Sequence, residues 1–295
     1  MGIWDWFKGK DTGLGPDELA RRLGIGEDEL RACQPTYREF DVPKQSGGHR
    51  RICAPEPQLK ALQRRILRRV IGRLRCHPSA VGFERGYSIV SNALYHARQA
   101  VVIRMDLKDF FGQTRAKRVR KYFQAIGWNR EASKLLEKLC THRGGLPQGA
   151  PTSPRLSNLV NHRLDARLAG LARKFGAAYS RYADDMTFSL GDDNASAIRA
   201  LIRATKKIVD DEGYVLHQTR KLHIRRQHQR QIVTGLVVND RVNLPRETRR
   251  WLRAVEHRLQ TGRQATLTPD QLEGWRSLQS MIARQADAGE ALQET

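Results

Sequence analysis

Acidic residues are scarce in this chain, as are cysteines, long apolar runs and low-complexity stretches. Lys and Arg outnumber Asp and Glu 53 to 31 over 295 residues, a net charge of +22. Such an excess bears on partners rather than on fold, and it points to polyanions. It is also uneven. Between His217 and Arg263 twelve Lys/Arg stand against three acids, more asymmetry than a merely soluble surface requires. No segment approaches the ~20 apolar residues of a membrane-spanning helix, so no membrane is expected. The start MGIWDWFKGKD has neither a signal-peptide apolar run nor a cleavage site. Trp6 stands where a myristoylation pattern requires Ser or Thr. Cys33, Cys53, Cys76 and Cys140 are far apart and form no CxxC. They read as reduced, mostly buried side chains of a cytoplasmic protein, and Cys76-His77 lacks a second pair to make a metal site.

What is present alternates between helical and extended patterns. GPDELARRLGIGEDELRAC reads as two short helices, Asp17 to Leu23 and Glu27 to Cys33. A small packing subdomain is expected there rather than a DNA-reading helix-turn-helix, because the second helix has almost no side chains suited to bases. YREFDVPKQSGGHRRICAP reads as a hairpin turning at Ser46-Gly47-Gly48 and ending at Pro55. Leu59, Leu62, Ile66, Leu67, Val70 and Ile71 form a helical stripe with a basic opposite face. AVVIRMDLKDFF opens as a buried strand ending near Asp106, and residues 116–140 are helical by spacing. THRGGLPQGAPTSP is loop running into a helix, ASAIRALIRATKKIVDDEGYVL is an amphipathic helix, and RQIVTGLVVNDRVNLP holds strands. From Arg246 onward the chain is helical and basic. Helices and strands mix without a regular βαβ alternation, which predicts an α+β fold.

RYADDMTFS, residues 181–189, sets Asp184 and Asp185 in a strand–turn–strand with no neutralising partner in view. Alone, the pair could tip a solvated hairpin. A further acid, Asp106, ends the apolar strand upstream. If those strands are neighbours in one sheet, the carboxylates share one site. Hard oxygen ligands suit Mg2+ rather than zinc. Two such ions about 3.5–4 Å apart would activate a 3′-hydroxyl and stabilise a leaving pyrophosphate.

These segments resemble reverse transcriptases, and within them the bacterial retron class, from about Tyr37 to Gln260. RMDLKDFF is similar to the first catalytic motif, GGLPQGAPTSPRLSNL to the nucleotide-pocket motif and YADD to the catalytic hairpin. GYVLHQTRKL is similar to the motif that follows, and RRICAPEPQLKALQ to the fingers motif. NALYH (Asn92 to His96) and VTGLVVN (Val233 to Asn239) match two retron signatures. Group II intron enzymes share the polymerase motifs without this pair, and their usual maturase region would not fit in this length.

The resemblance implies a right-hand polymerase: an N-terminal helical segment 1–36, fingers 37–100, palm 101–239 and an RNA-binding thumb 240–295. It implies metal ligation by Asp106, the Leu107 carbonyl, Asp184 and Asp185. Two Mg2+ are implied, with Mn2+ as a possible substitute, and Lys221 as the acid for pyrophosphate. Phe111 would gate the sugar, with Phe110 in the core. Gln148 and Gly149 would shape the nucleotide pocket, Gly149 allowing close backbone approach to substrate. Arg50 would grip the triphosphate, with Lys60 a second candidate and Arg51 facing the surface. Asn92 and His96 fit a capping Asn and a half-buried His equally well; the resemblance favours RNA binding. Val233, Thr234 and Gly235 join them, as do Arg246, Arg249, Arg250 and Arg253 on a basic helix seated by Trp251, Leu252, Val255 and Leu259. The implied partners are a cognate non-coding RNA, its RNA–DNA hybrid, dNTPs, an accessory effector of an anti-phage system, and a host RNase H for template removal. Synthesis would start from a guanosine 2′-hydroxyl. The rival readings are a group II-like or other defence-associated reverse transcriptase without retron RNA, and a non-catalytic RNA-binding protein on a polymerase scaffold.

Overall fold

The computed structural model describes residues 13–44, 47–217 and 222–291. The N-terminal MGIWDWFKGKD, Ser46 of the first turn and Lys221 lie outside the described residues. The chain forms two compact units and passes between them three times. The first holds residues up to His77 together with Lys108–Leu164, and the second Pro78–Leu107 together with Asp165 onward. Residues 78–100 therefore group with the strand that follows them, and 108–164 with the N-terminal part.

In chain order, α1 (Pro16–Leu23) starts with a proline and two acids in its first turn and stops at Gly24, φ +67. With α2 (Glu27–Ala32) it sinks Leu19, Leu23 and Leu30 into the first core. β1 (Tyr37–Pro43) and β2 (His49–Pro55) form the expected hairpin, pairing Val42 with Arg50 and Glu39 with Cys53. α3 (Pro57–Ile66) runs into a π turn, Leu67–Ile71. Leu59, Leu62, Ile66, Val70 and Ile71 of the predicted stripe are buried, and Leu67 is only partly so.

The second unit opens with α4 (Ile89–Leu94), capped by Ser88 in a reciprocal box with Ser91. It continues as β3 (Val101–Asp106), after which the chain returns to the first unit. There lie α5 (Phe110–Gln113), α6 (Ala116–Ala125), α7 (Arg130–Cys140) and α8 (Ser153–Leu159). The helix predicted over 116–140 is thus two. Gly127, at φ +99, breaks it, and Asn129 caps the next start by accepting from the Ala132 N–H.

α9 (His162–Lys174) leads back to β4 (Ala177–Tyr182), β5 (Asp185–Leu190) and α10 (Ala195–Asp211). β6 (His223–Arg226) is a further strand. β7 (Ile232–Val233), β8 (Leu236–Val237), α11 (Arg246–Gln260) and α12 (Pro269–Ala291) complete the unit.

β3 to β6 make an antiparallel sheet ordered β4-β5-β3-β6. Opposed residues share a face and neighbours alternate, so the register sorts the side chains. One face carries Val101, Ile103, Met105, Tyr179, Met186 and Phe188, all buried. The other carries Arg104, Asp106, Ser180, Asp185, Thr187, Ser189, His223 and Arg225. α4, β7, β8, α11 and α12 share a separate core built on Val90, Ala93, Val233, Leu236, Leu252, Val255, Leu272 and Ile282, which also takes in Val102.

Candidate active site on the polar face of the sheet

The register puts Asp106 directly opposite Asp185. Tyr182 pairs with Asp185, which leaves Ala183 and Asp184 as a two-residue loop. Asp184 is held there by its backbone, because the Leu107 N–H donates to its carbonyl at 3.0 Å. Two carboxylates directly across an antiparallel pair repel each other, so the strands need compensation. Arg104, two residues before Asp106 and on the same face, supplies part of it. Its Nη2 lies 2.6 Å from Asp185 Oδ2. His217 lies alongside, its Nε2 3.3 Å from Asp106 Oδ1 and its backbone N–H donating to the Asp106 carbonyl at 3.0 Å. The expectation that nothing neutralises the pair is corrected by Arg104, which the alternation of β3 makes visible once the strand is recognised. Asp106 and Asp185 offer hard oxygens on one face with Asp184 in the adjoining turn, a donor set that fits divalent Mg2+ or Mn2+.

Beside Arg104, on the same face, opens a cavity of about 300 Å³ lined by Val102, Arg104, His223, Arg225, Arg230 and Ile232. Three guanidiniums in so small a space suit an anion.

In the first unit, backbone contacts tie Gln148 and Gly149 to β2 and the segment before them to Phe111. The Cys53 N–H donates to the Gln148 carbonyl at 2.8 Å, and the Leu146 N–H to the Phe111 carbonyl at 3.0 Å. Gly149 sits at φ +118, and a Cβ there would come 2.9 Å from Ile52 Cγ2 and 3.3 Å from the Cys53 carbonyl. Its close approach is to β2, a reason the sequence alone does not display. Phe110 is buried and Phe111 half-buried at the core's edge, both in α5 rather than on a strand. Arg50 and Lys60 are exposed. Arg51 is exposed too, 3.9 Å from Asp41.

The residues assigned to RNA divide sharply. Asn92 and His96 are buried in the second unit, so direct contact with RNA is not open to them. His96 Nδ1 lies 2.8 Å from Ser189 Oγ and its Nε2 2.8 Å from Ser180 Oγ, which in turn donates to Asn92 Oδ1 at 2.6 Å. A hydroxyl has one proton, and Ser180 gives its own to Asn92, so it accepts from His96 Nε2–H. Burial pushes the His96 pKa down to about 3. Ser88, not Asn92, caps α4. Val233 is buried as well; Thr234 Oγ1 donates to the Ile89 carbonyl at 2.7 Å, and Gly235 is exposed at φ +84. Both retron signatures therefore converge on α4: one pins it to β4 and β5, the other ties down its first turn. Arg246, Arg249, Arg250 and Arg253 are exposed, while Leu252 and Val255 seat α11. Trp251 stands at the edge of that stripe, edge-on to Trp275 with ring centroids 5.8 Å apart.

An antiparallel sheet with acids on one strand end and on the facing hairpin, in an α+β chain, is the arrangement of the right-hand polymerase fold. The fold comparison agrees. A telomerase structure from Candida albicans, in complex with a fragment of telomeric RNA, aligns over 77% of this chain and 48% of its own, with TM-score 0.52 and 10% identity. The model of the reverse transcriptase (RNA-dependent DNA polymerase) family matches residues 42–234. Similar curated proteins are the retron Mx65 reverse transcriptase of Myxococcus xanthus, 41% identical, and the retron Ec86 reverse transcriptase of Escherichia coli, 35% identical. The first alignment covers 82% of this chain and 62% of the relative, the second 88% and 82%. The retron Mx162 reverse transcriptase of Myxococcus xanthus is 36% identical over 84% of this chain and 59% of its own length. The chain belongs to the reverse transcriptase family, among the retron reverse transcriptases. It spans about three fifths of the two Myxococcus relatives.

Proposed function

We propose that the chain is an RNA-directed DNA polymerase that copies part of a cognate structured RNA. The observation that carries this reading is the Asp106–Asp185 opposition, with Asp184 in the adjoining turn. Two bound divalent cations, Mg2+ or Mn2+, would lower the barrier for attack of a primer hydroxyl on the dNTP α-phosphate and for departure of pyrophosphate. Asp106, Asp184, Asp185 and the Leu107 carbonyl are the proposed ligands. Phe111 excludes a ribose 2′-hydroxyl, Gln148 and Gly149 border the base pair, and Arg50, with Lys60, meets the triphosphate. Lys221 is assigned the proton for pyrophosphate on the motif alone. The basic cavity beside Arg104 suits a backbone phosphate of the nucleic acid. The fingers, palm and thumb boundaries given above belong to this reading.

Asp184→Asn is expected to abolish primer extension while RNA binding stays near wild type. Wild-type extension by that variant rejects the reading. The retron part of the proposal is that synthesis starts at a guanosine 2′-hydroxyl, giving branched RNA–DNA in an anti-phage system with an accessory effector, and that a host RNase H removes template. A debranching enzyme should then release a new DNA 5′ end from the product. A free 5′ end before treatment, or an ordinary 3′–5′ junction, rejects this priming. Among the described residues no helix is long and apolar enough to cross a membrane.

A further inference from the structure

Arg181 is the odd residue of the sheet: a charged side chain, fully buried, on the face otherwise filled by Met105, Met186, Tyr179 and Phe188. It meets Asp165 of α9, also fully buried, through two arms. Nε donates to Oδ1 at 2.8 Å and Nη2 to Oδ2 at 2.6 Å, while the Tyr179 hydroxyl donates to Oδ1 at 3.1 Å. The third arm leaves the pair. Arg181 Nη1 donates to the Ala183 carbonyl at 2.8 Å.

That carbonyl belongs to the peptide unit entering Asp184. The unit leaving Asp184 is fixed as well, its carbonyl accepting from the Leu107 N–H. Both peptide planes around the Asp184 Cα are therefore pinned, one from the buried pair and one from β3. Ala183 itself holds φ +58, a left-handed conformation disfavoured for any residue with a Cβ. Such a conformation persists only where the surroundings impose it. The surroundings do so from the other side too. The Arg181 N–H donates to the Ser79 carbonyl at 2.7 Å, and the Val81 N–H to the Arg181 carbonyl at 3.0 Å. A Cβ on Gly82 would lie 2.6 Å from the Ala183 nitrogen.

We propose that Arg181, with Asp165 behind it and Gly82 against the turn, is a positioning residue that sets where Asp184 and Asp185 present their carboxylates. This rests on the hairpin being the polymerase site. Stability alone does not account for the arrangement. A buried ion pair is commonly replaceable by apolar side chains of similar size at little or no cost, but an apolar pair could not hold the Ala183 carbonyl. Lysine could not either, since one ammonium cannot serve two carboxylate oxygens and a carbonyl in that fork geometry. Burial alone would lower the Arg181 pKa. The Asp165 charge and hydrogen bonds outweigh it and drive the pKa up, so the clamp stays charged.

The test uses the full chain in single-turnover extension of a preformed primer on RNA, with Arg181→Lys and Gly82→Ala. Arg167→Lys is the control, an arginine of the same helix as Asp165 whose ion pairs are with Asp211 and Glu212. A misplacement of about 1 Å can cost ~100-fold in rate. Arg181→Lys and Gly82→Ala are expected to slow the chemical step at least about tenfold. dNTP and template affinities, and the control's rate, should stay within about threefold of wild type. Thermal melts and assays well below the melting temperature separate misplacement from unfolding. If Arg181→Lys does not fold, Gly82→Ala decides. Wild-type rate in the folded variant, or a loss that tracks the unfolded fraction, overturns the proposal. Mn2+ titration without nucleic acid gives an independent readout. If the wild type synthesises no DNA, the polymerase reading falls. The clamp then stands if the folded variants bind Mn2+ more weakly, and falls if they bind it as the wild type does.

Discussion

Arg104 and Asp185 form a 2.6 Å ion pair on the same face of the sheet as Asp106. The guanidinium is a fixed cation beside carboxylates proposed to accept mobile ones as well. Removing it by Arg104→Ala leaves Asp106, Asp184 and Asp185 to repel one another. The side chains are 25% and 30% exposed, so the metal-free protein should lose on the order of 1 kcal/mol. Added Mg2+ should return part of that loss, because a divalent cation answers the same repulsion. Melting curves in chelator and in Mg2+ check this. An equal loss in both would mean that Arg104 and the cations act independently.

Phe110 and Phe111 adjoin in sequence and differ in burial. Phe110→Ala should destabilise the protein by ~3–5 kcal/mol, the usual cost of emptying a core phenylalanine site. Phe111→Ala should cost less and instead raise ribonucleotide incorporation. Denaturant unfolding beside dNTP/rNTP selectivity checks both. Selectivity collapsing only in Phe110→Ala would exchange the roles.

His96 gives a pH dependence whose sign follows from burial. Its folded pKa is about 3 against an ordinary 6.5, so only the unfolded chain takes up the proton between those values. Stability contributed through this site is intact above pH 6.5. It falls by up to ~1.4 kcal/mol per pH unit as the pH drops toward 3. His96→Gln should flatten that slope in urea unfolding at successive pH values while lowering stability near neutrality. RNA affinity per folded molecule should not change, since His96 lies inside. A specific loss of RNA affinity in a folded variant would restore the contact role.

The three acids proposed as metal ligands stood out because each sits on a short-range pattern: Asp106 at the end of an apolar β-branched run, Asp184 and Asp185 between two strand-like shoulders. Arg104 was equally within reach, two residues from Asp106, but its partner lies on another strand. Only the register brings them together. For Asn92 and His96 the residues left a capping Asn with a half-buried His open beside RNA contact, and only the resemblance chose between them. Nothing local announces that Ser180 and Ser189 would satisfy them in the interior. Arg181 was hidden in the same way, as one arginine among many until its burial is seen. The split of 116–140 turned on one glycine, which helical spacing tolerates on paper.

The exposed arginines of α11 are the place where RNA choice can be tested. Arg246, Arg249, Arg250 and Arg253 recur at spacings of three and four, so they share one broad face, while Leu252 and Val255 bury the other. Guanidiniums there can contact phosphates and stack on unpaired bases, which is how folded RNA is commonly read. Phosphate contacts alone are blind to sequence, and each adds about 0.7–0.9 to the salt slope of binding. Replacing Arg249, Arg250 and Arg253 with Gln should therefore weaken cognate RNA more than an unrelated hairpin of equal length. Extension of a preformed primer–template at saturating enzyme should be largely retained, because the carboxylates belong to β3 and the β4–β5 hairpin and not to α11. Affinity measured against salt for both RNAs decides the matter. An equal fall for the two, with the salt slope reduced alike, would make α11 an electrostatic handle and move specificity to another surface.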